Sequence, residues 1–161
     1  MGASVYRKIL VSERDFSVDE ESTLLMAQAH GVGAICSFVG YVRDFNETST
    51  VQAIFLEHYP AMTEKALAGI VAEAEQRWSL KGVTVIHRIG ELRSCEQIVL
   101  TLVASQHRAD AFAACEFLMD YLKQRAPFWK KEIGPEGGVW VESKASDQSR
   151  AERWDLPDKS P

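Results

Sequence analysis

Two long segments of the chain repeat apolar residues every three or four positions, as amphipathic helices do. The first runs from Met62 to Trp78 and the second from about Arg108 to Arg125. Their apolar stripes are Ala66, Leu67, Ile70, Val71, Ala74 and Trp78 in the first, and Phe112, Cys115, Leu118, Met119 and Leu122 in the second. Pro127 disfavours helical dihedrals at the residue before it, so the second helix is predicted to end at Ala126.

Two shorter helices are predicted near the termini. Ser17 followed by Glu20 fits a capping box, which indicates a helix through STLLMAQAH that ends at Gly31. The tail from Asp147 to Pro161 is polar. It is expected to form a short helix at most, before its final residues fray.

Apolar and aromatic runs bounded by turn-forming or polar residues predict the strands. GAICSFVGYV, from Gly33 to Val42, is the most apolar of them and is interpreted as a buried strand. The others are YRKILVS, VQAIFLEHY, VTVIHRIGEL, QIVLTLVAS, FWKKEI and VWVES. A turn near Arg93 to Glu96 joins VTVIHRIGEL to QIVLTLVAS, and GPEGG closes a hairpin between the last two strands. The polar run RDFNETST is predicted to be a loop.

The order of these elements favours a mixed α+β domain. Strands and helices interleave, but several strands are joined by short turns, so a largely antiparallel sheet with flanking helices fits better than a doubly wound fold. The length of 161 residues corresponds to one domain, residues 1–161. We find no internal repeat, low-complexity tract or linker.

Charge and hydropathy narrow the possible functions. The net charge of −5 argues against a general nucleic-acid binder, which normally carries a basic excess. A local basic pocket on an acidic body would instead favour a small anionic ligand. No signal-like pattern begins the chain and no apolar stretch approaches membrane-spanning length, so we expect no membrane partner and a cytoplasmic location.

The cysteines do not indicate a metal site. Cys36, Cys95 and Cys115 are widely spaced and form no Cys-x-x-Cys pair, so neither a disulfide framework nor a zinc site is predicted. Cys36 and Cys115 lie in apolar runs and are predicted to be core residues. We expect no metal and no other cofactor.

Candidate chemistry rests on basic residues. The set consists of Arg43, His107, Arg108, Lys123, Lys130 and Lys131. His107 and Arg108 begin a helix, where unpaired N–H groups favour an anion and a cation is mildly unfavourable. Lys123 lies in the last turn of that helix, where a cation also stabilises the helix itself by roughly 0.3–1 kcal/mol. Both a functional role and ordinary surface charge remain open at this point.

Three further patterns are weaker. Lys130 and Lys131 are adjacent in a predicted strand, so they point to opposite faces, and periodicity does not show which one faces a cleft. His87 is interpreted as a hydrogen-bonded structural residue. Glu57 and His58 could ligate a metal, but neighbours on a strand point apart. The chain has no P-loop, G-x-G-x-x-G or G-x-S-x-G motif.

Several stretches together resemble one family. FVGYVRD, LEHYPAMTEKAL, VIHRIGEL, SQHRADAF and MDYLKQRAPFWKKE occur in this order. They are similar to the large, catalytic subunit of molybdopterin synthase, the MoaE family. The resemblance extends from about residue 5 to Trp154, and two of the motifs are long and unusual in composition.

The resemblance implies an α/β hammerhead fold and a sulfurtransferase activity. Members convert cyclic pyranopterin monophosphate into molybdopterin, in molybdenum cofactor biosynthesis, by installing two sulfurs as a dithiolene. The sulfur arrives as a thiocarboxylate on the C-terminal Gly-Gly tail of a small ubiquitin-like, MoaD-like subunit. Two large subunits form a central dimer of a heterotetramer. No cysteine of the chain is then needed as a sulfur carrier.

The resemblance also implies site residues. Lys123 matches the catalytic lysine and Lys130 a second important lysine of the pocket. Substrate-contacting positions are matched by Arg43, His107 and Arg108, with Tyr41 and Val42 in the same segment and Lys131 and Glu132 beside Lys130. Arg43 and Arg108 can offer forked donors to a phosphate. A fixed ammonium at Lys123 can stabilise developing negative charge or move protons.

Two positions depart from the family pattern. Tyr41 stands where relatives often carry Lys, so one cation is missing. Lys144 stands where relatives often carry an Arg that reaches across the dimer, and a Lys cannot reproduce a bidentate fork.

Two other functions remain as alternatives. The chain could be a non-catalytic docking module for a ubiquitin-like tail, although tail docking alone needs no phosphate-binding cations. An RNA-binding domain that stacks bases on Phe128 and Trp129 fits the acidic charge poorly.

Overall fold

The computed structural model describes residues 4–43, 51–141 and 145–155. Within them the chain forms eight strands and four helices. They are β1 (Tyr6–Ser12), α1 (Val18–Gln28), β2 (Ala34–Tyr41), β3 (Ala53–His58), α2 (Met62–Arg77), β4 (Leu80–Arg88), β5 (Gly90–Arg93), β6 (Gln97–Ser105), α3 (Arg108–Arg125), β7 (Phe128–Gly134), β8 (Gly137–Val141) and α4 (Ala145–Glu152). The predicted mixed α+β class is confirmed.

The strands form two four-stranded sheets rather than one. The first sheet has the order β1-β4-β6-β2 and the second the order β5-β3-β7-β8. Only β1 and β4 pair in parallel; the other neighbours are antiparallel. The prediction of a largely antiparallel arrangement is therefore confirmed, but a single sheet was not the correct architecture.

VTVIHRIGEL was predicted to be one strand, and this is wrong. β4 ends at Arg88 in the first sheet, and β5 begins at Gly90 in the second. Gly90 has a φ of 83°, a left-handed conformation that costs glycine little because it has no Cβ. The glycine thus marks the point where the chain passes from one sheet to the other.

The first sheet is covered by helices on both faces. α2 and α3 pack on one face, where Val83, Val85, Val99 and Val103 meet apolar residues of both helices. α1 covers the other face, where Leu25 packs with β4 and β6 residues. Because β4 and β6 are covered on both faces, their near-continuous apolar sequences are fully accounted for.

β2 corrects a second prediction. The strand lies at the edge of the first sheet and is only partly covered, so it is not a buried strand. Phe38 and Tyr41 are 41% and 53% exposed. An apolar sequence predicts that a strand is buried, but it does not show whether the covering residues belong to the same chain.

The helix boundaries follow the local signals. The Ser17 side chain accepts a hydrogen bond from the Glu20 backbone N–H, as the capping box predicts. α1 ends at Gln28, before the predicted Gly31. α3 occupies the predicted range and ends at Arg125, and its C-cap residue Ala126 has the extended dihedrals expected of a residue before proline.

The C-terminal segment packs onto α3. Asp120 is 7% exposed, and its carboxylate accepts hydrogen bonds from Arg150 Nε (3.2 Å), Arg153 Nη2 (2.9 Å) and Trp154 Nε1 (2.7 Å). The Trp154 ring also meets Trp78 and Phe117 edge-on. The predicted short helix is present as α4, and its docking fixes one side of the site described next.

Candidate functional site

A cavity of about 510 Å³ opens between β2, α3 and α4. Its lining residues are Cys36, Ser37 and Phe38 of β2, Phe112, Cys115, Glu116, Met119, Asp120 and Lys123 of α3, and Arg150 of α4. Apolar and sulfur-containing side chains form much of the wall. Phe38 and Phe112 are 41% and 63% exposed, so the cavity of a single chain is open to solvent on one side.

Lys123 is the lysine of the predicted catalytic set that lines this cavity. It lies on the same face of α3 as Glu116, Met119 and Asp120, at spacings of seven, four and three residues. Glu116 and Asp120 are engaged by Arg150 and Arg153. Their negative charges are therefore balanced by the arginines of the C-terminal segment.

His87 lies close to Lys123 and carries no charge of its own. It is 5% exposed, and its Nδ1 lies 2.7 Å from the Arg88 carbonyl oxygen, which can only accept, so Nδ1 carries the proton. The pKa of His87 is lowered to about 4. Burial is the largest cause, and the nearby Lys123 and His58 also contribute to the lowering. The structural hydrogen bond expected for His87 is present, and near neutral pH the cation in this region is Lys123 rather than His87.

We expect His87 to make stability fall in acid. Its pKa is about 4 in the fold against an ordinary 6.5, so the unfolded chain binds more protons between these pH values. Stability is thus lost as pH falls from about 6.5 to about 4, by roughly 2–3 kcal/mol at pH 4.5. His87→Gln cannot titrate, so urea unfolding at pH 7 and pH 4.5 should show a correspondingly smaller loss in the variant. Equal losses in both proteins would contradict this assignment.

Lys130 faces the same interior region, and Lys131 does not. In the β3–β7 pairing Lys130 lies opposite the buried Leu56, so its side chain is on the inner face of the sheet. Phe128 and Glu132, two residues before and after it in the strand, lie on the same face. Phe128 stacks on His87 with ring centroids 3.9 Å apart. Lys123 also lies close to His87, so Lys130 and Lys123 are brought to the same end of the molecule.

Lys131 lies on the outer face of the second sheet. Its ammonium is 5.5 Å from the Trp140 ring centroid, and its stem crosses Gly138 so closely that a Cβ there would lie 2.1 Å from Lys131 Cε. Trp129 shares this outer face and meets Tyr59 edge-on. Since Phe128 and Trp129 lie on opposite faces, they do not form a joint base-stacking platform.

The Tyr41–Arg43 segment lies at the same end as Lys123. β2 runs antiparallel to β6, and Tyr41 pairs with Gln97 at the start of β6. Arg43 and Tyr41 are exposed. Val42 is 4% exposed and packs with Ile54, Leu56 and Leu92, while its N–H and carbonyl bond to Glu96 and Cys95. The Val42 side chain is therefore unavailable to a ligand, and we expect it to anchor its two neighbours.

His107 and Arg108 lie at the other end of α3. Fifteen residues separate Arg108 from Lys123 in one helix, which places them about 22 Å apart along its axis. Both His107 and Arg108 are exposed, and the Ser105 hydroxyl donates to the His107 carbonyl. Within one chain the structure therefore does not bring these two residues to Lys123, Lys130 and Arg43.

Several residues that line the cavity were not predicted from the sequence. Phe38 and Met119 have the apolar character and helix or strand spacing of core residues, which hid their position at the wall. Arg150 lies in a polar tail, where a cation attracts no notice. Lys144 and residues 44–50, which belong to the predicted loop RDFNETST, lie outside the described residues.

The described part of the chain shows neither a metal site nor a membrane-spanning helix. No group of three or more His, Cys, Asp or Glu side chains there could hold a metal ion. Among the same residues, no helix is long and apolar enough to cross a membrane.

The fold and cavity define an α+β protein with a partly apolar pocket, lined by one lysine and with further cations close by. The model of the MoaE protein family matches residues 11–125. The molybdopterin synthase catalytic subunit of Pseudomonas aeruginosa is 55% identical over 147 residues, which cover 91% of this chain and 98% of the relative.

Solved structures give the same result. The MoaE protein of Burkholderia ambifaria has a TM-score of 0.81 and 45% identity, covering 94% of this chain and 99% of that one. Molybdopterin synthase of Staphylococcus aureus has a TM-score of 0.72 and 30% identity, covering 84% and 96%. The chain belongs to the MoaE family.

Proposed function

We propose that the chain is the catalytic subunit of a molybdopterin synthase, an enzyme that transfers sulfur to cyclic pyranopterin monophosphate in molybdenum cofactor biosynthesis. The observation that carries this proposal is the cavity lined by Lys123, with Lys130 and Arg43 at the same end of the fold. Each sulfur comes from the C-terminal thiocarboxylate of a small ubiquitin-like subunit, whose tail leaves as a carboxylate. The three cysteines are free thiols, which persist in a reducing compartment, and we propose a cytoplasmic location.

Lys123 has the central role in this mechanism. Attack involving a thiocarboxylate develops negative charge on oxygen or sulfur, and a fixed ammonium at the cavity wall lowers the energy of that charge. Once substrate fills the cavity, apolar neighbours such as Phe38 and Met119 limit the contact of the reacting groups with water and so strengthen the effect. His87 stays neutral and leaves the positive charge to the lysine. Lys123 can also donate or accept a proton during ring opening and water loss.

Lys130 supports this step from the inner face of β7, on which Phe128 stacks on His87. We assign it to the tail carboxylate of the small subunit, since it presents a cation on the inner face of β7. Glu132 follows on the same face and can orient the lysine.

Neighbouring lysines test this assignment. Lys130→Ala is expected to slow molybdopterin formation at least about tenfold more than Lys131→Ala, because only Lys130 lies on the inner face. The two variants remove the same charge from adjacent positions, so they are matched for net charge. Initial rates with saturating small subunit give the comparison, and a larger loss for Lys131 would place the site on the outer face instead.

We further propose that a second copy of the chain completes the site. Among the described residues β2 has a strand neighbour on one side only, and Phe38 and Tyr41 of this edge strand are exposed. If two β2 strands pair antiparallel about a two-fold axis, the end of one strand meets the start of the other. Arg43 of one copy then approaches the region of Ser105, which pairs with Ala34, and thus His107 and Arg108. This arrangement supplies both arginines to one substrate phosphate.

A conversion assay tests the function. The chain is mixed with cyclic pyranopterin monophosphate and the small subunit in either its thiocarboxylate or its carboxylate form, and product is followed by mass spectrometry. Product is expected with the thiocarboxylate alone. Binding of both forms without product would favour a non-catalytic docking module for the ubiquitin-like tail.

A further inference from the structure

Two of the three cysteines meet at the wall of the cavity. Cys36 lies on β2 and Cys115 on α3, and both line the cavity that contains Lys123. Cys115 Sγ donates to the Thr101 carbonyl oxygen at 4.0 Å, and Cys36 lies near it where β2 packs on α3. Cys115 is 4% exposed and Cys36 is half-buried against the same apolar cluster. Cys95, the third thiol, is exposed on the turn between β5 and β6.

The two thiols differ in chemical environment. Burial raises the pKa of the Cys115 thiol, and the neighbouring Cys36 raises it further, so Cys115 stays protonated at neutral pH. Cys36 is the more accessible of the two and is the one that an oxidant entering the cavity meets first. A reactive thiol with a second thiol beside it is the arrangement that converts oxidation into a reversible disulfide.

We propose that Cys36 and Cys115 form an oxidation-sensitive pair, which a peroxide closes into a disulfide between β2 and α3 and which thereby stops the reaction at the cavity. The formation of the disulfide is independent of the proposed function, whereas the loss of activity rests on it.

The chemistry balances with hydrogen peroxide as the oxidant. The Cys36 thiolate attacks one peroxide oxygen, the O–O bond breaks, and the hydroxide released takes up the thiol proton to form water. Cys36 is then a sulfenic acid. The Cys115 sulfur attacks the Cys36 sulfur, the S–O bond breaks, and the hydroxyl group leaves as water with the Cys115 proton. Two thiols are oxidised to a disulfide while one peroxide is reduced to two waters.

The disulfide affects the cavity because its two ends lie on opposite walls. A disulfide fixes the two sulfurs about 2.05 Å apart, and closing it draws β2 and α3 together. Phe38 is two residues from Cys36, and Met119 is one helical turn from Cys115. Lys123 lies one further turn along α3. A shift of about 1 Å in such groups costs about 100-fold in rate.

The experiment treats the full chain with hydrogen peroxide and measures two quantities. Peptide mapping without reduction should show Cys36 linked to Cys115, with an intact mass lower by about 2 Da. Molybdopterin formation should fall at least about tenfold and return after dithiothreitol. The Cys95→Ala variant, which removes the exposed thiol, should behave like wild type. Cys36→Ala and Cys115→Ala should each keep their own untreated activity after peroxide.

The outcomes distinguish the two claims. Loss of thiols without a Cys36–Cys115 linkage in wild type overturns the proposal, whatever the variants do. Equal peroxide sensitivity of wild type and a folded Cys36→Ala variant overturns the link to activity. If the linkage forms but the untreated chain makes no molybdopterin, the thiol pair stands and the proposed function fails.

Discussion

Replacing Lys123 with alanine is expected to lower the rate of molybdopterin formation by about 10²–10⁴-fold, the range for removing a positioned acid–base or charge-stabilising group. Lys123 lines the cavity and His87 beside it is neutral, while Arg150, the other cation of the lining, is paired with Glu116 and Asp120, so neither is placed to take over the charge of Lys123. The loss should appear in kcat more than in KM, because the ammonium acts on charge that develops during the reaction.

The variant Gln124→Ala is the control for a purely structural effect of Lys123→Ala. Gln124 lies in the same exposed turn of α3 and does not line the cavity, so Gln124→Ala tests the effect of altering the turn alone. Lys123→Ala should cost at most about 1 kcal/mol of stability through the helix dipole. Turnover close to that of Gln124→Ala would remove Lys123 from its catalytic role.

Mixing two inactive variants should restore activity. Arg43→Ala and Arg108→Ala are each expected to lose at least about 100-fold in rate, since each removes a forked donor from the substrate phosphate. If one site takes Arg43 from one copy and Arg108 from the other, a mixed dimer has one intact site and one that lacks both arginines. Half of randomly re-formed dimers are mixed, so about one quarter of wild-type activity should return.

Complementation depends on where the two arginines come from. The estimated separation of about 22 Å between Arg108 and Lys123 within one chain is the reason to expect it. A mixture of Arg43→Ala and Lys123→Ala serves as the matched control. Both residues lie at the same end of one chain, so in its mixed dimers one site lacks Arg43, the other lacks Lys123, and no activity is expected to return. Recovery there with none for Arg43 and Arg108 would contradict the shared site.

Local signals predicted most of the secondary structure. The range of α3 follows from its apolar stripe and Pro127, and the β7–β8 hairpin from the glycines of GPEGG. Both depend on residues close in sequence. The break at Gly90 was missed because an apolar run looks the same whether it stays in one sheet or crosses to another.

The site was less accessible to sequence reasoning. Periodicity places Lys130 and Lys131 on opposite faces, but only the pairing of β7 with β3 shows that Lys130 shares its face with buried Leu56. The meeting of Cys36 with Cys115 depends on the packing of α3 against β2, which leaves no trace in local spacing. Tertiary contacts of this kind determine which residues of an apolar stripe become cavity wall.

The most direct measurement counts sulfur. The chain, cyclic pyranopterin monophosphate and a limiting amount of thiocarboxylated small subunit are allowed to react to completion, and product and spent small subunit are quantified by mass spectrometry. We expect two spent small subunits for each molybdopterin, because each tail delivers one of the two dithiolene sulfurs, and no product when the chain is omitted. Spent small subunit without product, or product formed equally well without the chain, would contradict a sulfurtransferase role.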